Sequence, residues 1–196
     1  MKKLIMATAL TIIVSAAPAQ PTQWTIDDTY AKIGFTISRF GISETEGRFT
    51  KFSGKVSTDR PDFINGKIDF TIDVNSVDTD NEQRDNHLRS PDFFDAAKYP
   101  QIVFKSKSLQ QRSGNQYQLK GDLTMHGITR EVTLDAVYRG TVPQDPFGNT
   151  KAGFKISGVI DRTQWGLNWT GKLASGDLLV GNDVNIMCNI ELTKAK

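Results

Sequence analysis

The sequence predicts an all-β domain, closed as a barrel or stacked as a sandwich, with one short helical insertion. Three observations predict it. Apolar and polar residues alternate with period two along most of the chain. The alternating runs are joined by short connections rich in turn residues. Gly121 and Gly158 stand in the dry phase of two long runs, where glycine permits a bend or a close approach. Many strands with short links favour a barrel or a sandwich.

The strands follow in order. Ile33-x-Phe35-x-Ile37 is the first, and a segment near Phe49 and Phe52, bent around Gly54, is the second. Residues 67–74 are the clearest: Ile68, Phe70, Ile72 and Val74 face one way, Lys67, Asp69, Thr71 and Asp73 the other. One dry face and one wet face mark an antiparallel sheet. Ile102-x-Phe104 opens the fourth strand. Tyr117 to Met125 and Val132 to Tyr138 form a hairpin through a tight His126-Gly127 turn. Phe154 to Ile160 and Val184 to Ile190 bring the count to about eight.

Residues 79–100 break the rhythm. Asp80 with Gln83 three residues on reads as a helix cap, opening two turns over residues 81–88. Ser90-Pro91-Asp92 reads as a second helix start, with Phe93 and Phe94 on its first turn. Tyr99-Pro100 ends it. The insertion therefore spans about 80–98.

The chain divides into residues 1–19, a leader, and residues 20–196, one domain. Lys2 and Lys3, the charge-free run Leu4 to Val14 and Ala17-x-Ala19 read as a cleavable secretory signal. That apolar run is too short to span a bilayer as a stable helix, so no permanent membrane anchor is expected. Without Lys2 and Lys3 the chain holds 22 basic and 22 acidic residues. A neutral domain has no bulk attraction to nucleic acid. Cys188 is the sole cysteine and sits on the apolar side of its run, which suits a buried, inert thiol. Two separated histidines and this cysteine make no metal site. No glycine-rich loop leads from a strand into a helix, so no nucleotide cofactor is expected.

An eight-stranded barrel is either filled by its own side chains or wide enough for one small ligand. Alternation turns Phe35, Ile37, Phe70, Ile72, Phe104, Leu119, Phe154, Ile156 and Ile186 inward. These are the candidates to line a hydrocarbon tail, and alternation is equally expected of a solid core. Arg84 and His87, three apart on one helix face, form a candidate polar clamp at the mouth. Asp85 joins them, or ties the insertion to a neighbouring strand. Phe93, Phe94 and Trp165 are candidate mouth aromatics, and Trp169 is either rim or core. His126 reads as a turn residue, and Asp161-Arg162 as a local ion pair.

Several blocks resemble the YceI-like family in order and spacing. They are Ser76-Val77-Asp78-Thr79, Arg84 to Ser90, Asp92 to Asp95 and Lys98 to Ser106. Gly121 to Thr129, Asp161 to Leu167 and Leu179 to Val184 follow suit, and the likeness runs from Trp24 to Leu192. Near the start the family often has His-Ser and then a second His; Thr29-Tyr30 and Arg39-Phe40-Gly41 stand there instead. The resemblance implies an extended lipocalin-like barrel of eight antiparallel strands. It also implies an exported, periplasmic binding protein for polyisoprenoids such as polyprenyl phosphates or quinones, or for other long-chain amphiphiles, with no catalytic residues.

The expected function is therefore carriage of a long-chain lipid, with that lipid as ligand and no other cofactor. Two alternatives stay open: a lipid hydrolase or isomerase using His87 and Asp85, and a solid-core interaction module. A homodimer remains open as the assembly.

Overall fold

The alternating runs pair into a single antiparallel sheet that closes on itself. The computed structural model of the protein describes residues 20–174, 176 and 178–196; the leader expected over residues 1–19 lies outside the described residues. The strands are β1 (Thr22–Ile26), β2 (Lys32–Arg39), β3 (Ser43–Phe49), β4 (Phe52–Thr58), β5 (Lys67–Asp73) and β6 (Val77–Asp78). After helix α1 (Glu82–Arg89) come β7 (Gln101–Ser113), β8 (Gln116–Met125), β9 (Ile128–Val142), β10 (Lys151–Asp161) and β11 (Val180–Lys194).

The first six strands are three long ones, each broken once. One edge of β11 pairs with β2 and then with β1, so β1 and β2 act as one interrupted strand. In the same way β3 and β4 pair across the break at Thr50-Lys51 with β2 and β1. A 3-10 turn, Val74–Ser76, divides β5 from β6. Counted so, the ring is an eight-stranded up-and-down barrel, closed between β11 and the β1–β2 strand. Closure leaves no full-length free edge that could template aggregation.

The breaks are held by polar groups. Ser76 Oγ donates to the Asp73 carbonyl (2.7 Å) and accepts from the Lys51 amide (3.0 Å), joining the break in one strand to that in its neighbour. At the β1–β2 break, Lys151 reaches across from β10 to Asp27 and to Thr193 Oγ1 (2.9 Å). Both members of that ion pair are largely buried. The Lys151 hydrogen bond holds the Asp27 carboxyl below its usual range, despite the opposing effect of burial.

One end of the barrel is closed by aromatics. Phe63, in the loop after β4, stacks with Trp24 (5.2 Å), Phe154 (5.1 Å) and Tyr138 (5.8 Å). The Tyr117 hydroxyl donates to the Asp62 carbonyl (3.0 Å) and ties the loop down. The opposite end carries the turn 40–42, the insertion, the His126-Gly127 hairpin and the segment 162–174. His126 and Gly127 both have positive φ (51° and 73°), the geometry of a tight hairpin turn.

The insertion differs from expectation in two places. The helix cap is Asn81, whose side chain accepts from the Arg84 amide, not Asp80. Asp80 has φ +58° and accepts from Arg48 (2.8 Å), so its carboxylate is engaged elsewhere. Ser90 does not start a second helix. Its hydroxyl donates back to the His87 carbonyl (2.8 Å) and closes α1. Residues 91–97 are turns, and Asp95 at φ +47° interrupts any helical path.

Gly121 and Gly158 occupy inward positions that neighbouring side chains fill: the Phe104 ring lies across Gly121, and Leu134 lies across Gly158. A Cβ at Gly121 would press into that ring and stand 2.5 Å from the Lys105 carbonyl oxygen. Gly121→Ala should therefore cost about 1–3 kcal/mol. In a chain of this size that lowers Tm by roughly 3–10 °C. Thermal unfolding followed by circular dichroism measures it, and an unchanged Tm would show that the ring yields freely.

Candidate functional site

The inward side chains do not fill the barrel. They enclose a cavity of about 400 Å³, within the range of small-molecule sites. Its wall is almost wholly hydrocarbon. All nine of Phe35, Ile37, Phe70, Ile72, Phe104, Leu119, Phe154, Ile156 and Ile186 lie on that wall. Period-two alternation is what puts them there, since each occupies the inward phase of its strand. Cys188 joins them from β11; it is buried, and burial pushes its thiol up to about 11.

The cavity runs up to the insertion. Helix α1 turns Arg84, His87 and Leu88 towards it. Arg84 donates from Nε to Thr79 Oγ1 (2.7 Å) and from Nη2 to the Thr79 carbonyl (2.6 Å). His87 Nε2 lies 3.0 Å from Asp92 Oδ2, and its ring meets Phe93 (5.1 Å) and Trp169 (5.0 Å) edge-on. Phe93 and Phe94 are also on the wall, and Phe94 packs edge-on against Phe49 (6.0 Å).

Asp85 is elsewhere. It is 6% exposed and accepts from both the amide (2.9 Å) and the hydroxyl (2.5 Å) of Thr79. It ties the helix to the strand before it and does not reach the cavity. Residues two apart on a helix do not share a face. The acid–base pair of His87 and Asp85 that an enzyme would need is therefore not assembled; His87 has Asp92 as its partner.

Trp165 also lies behind the wall. It is almost fully buried and its indole N–H donates to the Leu123 carbonyl (3.0 Å). Gly166, at φ +76°, reverses the chain after it, and Trp169 is the tryptophan that reaches the cavity, stacked on Phe93 (5.1 Å). Loop residues have no periodicity, so the sequence had no signal to choose between the two tryptophans. His126 links two loops, with Nδ1 3.1 Å from the Trp165 carbonyl and Tyr99 edge-on to its ring (4.7 Å).

Arg162 is a wall residue the sequence did not single out. The expected ion pair with Asp161 is not a hydrogen-bonded one: the Asp161 carboxylate accepts from the Thr163 amide (2.9 Å) and hydroxyl (2.6 Å). Those bonds hold its carboxyl below the usual range. Arg162 is 3% exposed and donates only to backbone carbonyls, those of Gly181 (2.9 Å), Leu167 and Val180. Burial lowers its pKa. Among the described residues no cluster of His, Cys, Asp or Glu could hold a metal ion.

This geometry defines a closed barrel with an apolar lumen, and comparison with known proteins agrees with that fold. A family model described as the YceI-like domain matches residues 24–192, so the chain belongs to the YceI-like family. A UPF0312 protein of Vibrio parahaemolyticus is 39% identical over 158 residues, 79% of this chain and 82% of that protein. BcnA of Burkholderia cenocepacia has a similar structure, with TM-score 0.73 and 25% identity over 85% of this chain and 98% of its own. A polyisoprenoid binding domain from Saccharophagus degradans shares the fold at TM-score 0.66 and 16% identity, over 88% of this chain and 98% of its own.

A thiol raised to about 11 holds roughly one thiolate in a thousand at pH 8. Cys188 should therefore resist the bulky, charged Ellman reagent in the folded protein and react fully once unfolded in guanidinium. Prompt reaction in the native state would show that the lumen admits water and charged solutes.

Proposed function

We propose that this chain is an exported carrier that holds one long-tailed lipid, of isoprenoid type, in the barrel lumen with its head at the insertion. The observation that carries this reading is the enclosed hydrocarbon wall, which offers a chain of CH₂ and CH₃ groups a dry site and offers a sugar or nucleotide almost no polar partner. Each buried CH₂ contributes about 0.8 kcal/mol, so ten buried carbons supply roughly 8 kcal/mol before ordering costs. An open lumen speaks against the solid-core interaction module.

The isoprenoid part of the reading draws support from the shared fold with the Saccharophagus degradans domain, whose name is polyisoprenoid binding. Export to a periplasm is supported by Lys2-Lys3, the apolar run and Ala17-x-Ala19. Among the described residues no helix is long and apolar enough to cross a membrane. Binding without turnover is supported by the separation of Asp85 from His87 and by the unreactive state of Cys188.

The test is mass spectrometry of an organic extract from protein made with its leader and purified from the periplasm without detergent. A stoichiometric polyprenyl species or quinone is expected. A fatty acid or fatty amide would keep the carrier and overturn the isoprenoid tail. An empty extract, with no uptake of added lipid, would overturn the carrier. Ile156→Trp, which places a large ring on the lumen wall, should lower the lipid-to-protein ratio by about tenfold while the strand signal in circular dichroism persists.

A further inference from the structure

The wall of the lumen carries three cations, Arg39, Arg84 and Arg162, and among the described residues not one Asp or Glu. The domain as a whole holds as many acids as bases, so this imbalance is not a reflection of composition. On the outside, Arg48 pairs with Asp78 and Asp80 and Arg60 with Asp62, while Arg89 donates to the carbonyls of Asn75 and Val77.

Arg84 and Arg162, on the lumen wall, are held by uncharged acceptors. Arg162 is 3% exposed, and its partners are three backbone carbonyls. Arg84 bonds the carbonyl and hydroxyl of Thr79 through Nε and Nη2. Carbonyls and hydroxyls accept N–H groups but bring no full negative charge. A guanidinium withdrawn from water is costly unless a counter-charge accompanies it. Arg39, at the rim, lies 4.0 Å over the Phe40 ring.

We propose that the lumen selects amphiphiles with an anionic head, a phosphate or a carboxylate, with Arg84 and Arg162 as the groups that recognise it and Arg39 at the rim. This rests on the reading of the lumen as a lipid site. The guanidinium fork suits both oxyanions, and its hydrogen bonds to them are about twice as strong as neutral ones. Asp161, the acid beside Arg162, is already committed to Thr163, and a neutral quinone or alcohol would offer these arginines no charge-assisted hydrogen bond.

The experiment uses tail-matched probes on the mature protein washed free of copurified lipid. Geranylgeranyl monophosphate is compared with geranylgeraniol, and palmitate with 1-hexadecanol, each titrated below micelle formation against tryptophan fluorescence. The anionic member of at least one pair should bind about tenfold or more tightly. A preference in both pairs assigns a general oxyanion site, and a preference in the isoprenoid pair alone assigns a phosphate. A preference in the palmitate pair alone assigns a carboxylate.

Arg162→Gln is a poor probe, because Arg162 ties the Leu167 carbonyl to those of Val180 and Gly181 in β11. Arg84→Gln should instead narrow the anion-to-alcohol ratio to about threefold or less, and Arg84→Lys should restore part of it. An unfolded variant would lose both members alike rather than change their ratio. Equal affinities within both pairs, or an unchanged ratio in Arg84→Gln, would overturn the anionic head while leaving the lipid carrier standing. No uptake of any of the four would overturn the lipid reading itself.

Discussion

The ladder between β11 and the β1–β2 strand is the interaction on which everything else depends. It joins the last strand of the chain to the first and turns a curved sheet into a tube. Once eight strands are closed, the radius is set by backbone hydrogen bonding and not by the side chains inside. The inward residues are then too few and too small to fill the space, and a cavity remains. Long strands make this possible: β9 and β11 each run for 15 residues, so the tube extends well beyond its aromatic plug.

A tube must also be stopped at one end and left approachable at the other. The loop after β4 supplies the stop, with Phe63 held among Trp24, Tyr138 and Phe154. At the other end β6 has no ladder partner besides β3, and the insertion stands there instead. Its position is set by charge and by backbone acceptors. Arg48 grips Asp78 and Asp80, and Arg89 donates to the carbonyls of Asn75 and Val77 (3.0 Å each). Asp85 completes the clamp through Thr79. These bonds leave one face of α1 free to meet the lumen, and Arg84, His87 and Leu88 are on that face.

The chemistry of the lumen follows from the same division. Its hydrocarbon wall makes burial of a tail favourable without specifying which tail. The polar groups of the wall add direction: three arginines and His87, with Ser38, Thr45 and Thr79, stand where the rest is apolar. At the mouth His87 is paired with Asp92, while Asp85, the acid nearest to it in sequence, is committed to Thr79.

The sequence by itself determined the strands, their inward faces and the wall of the lumen. Period-two alternation is a local property, and it survives in the fold because each strand has one wet and one dry side. The burial of Cys188 was legible for the same reason, and the hairpin at His126-Gly127 from its turn residues. Arg84 and His87 were legible because their spacing is that of a helix face. Only the tertiary structure decided whether the barrel is solid or hollow, since that depends on the ring's radius and not on any strand's pattern. It also decided that Trp169 reaches the cavity while Trp165 lies behind it, that Asp85 turns away from His87, and that Arg162 faces the lumen. Those placements follow from left-handed turns at Asp80, Asp95 and Gly166 and from bonds such as those of Trp165 to the Leu123 carbonyl and of Arg162 to the Gly181 carbonyl. Such contacts join residues far apart in the chain, and no local spacing records them.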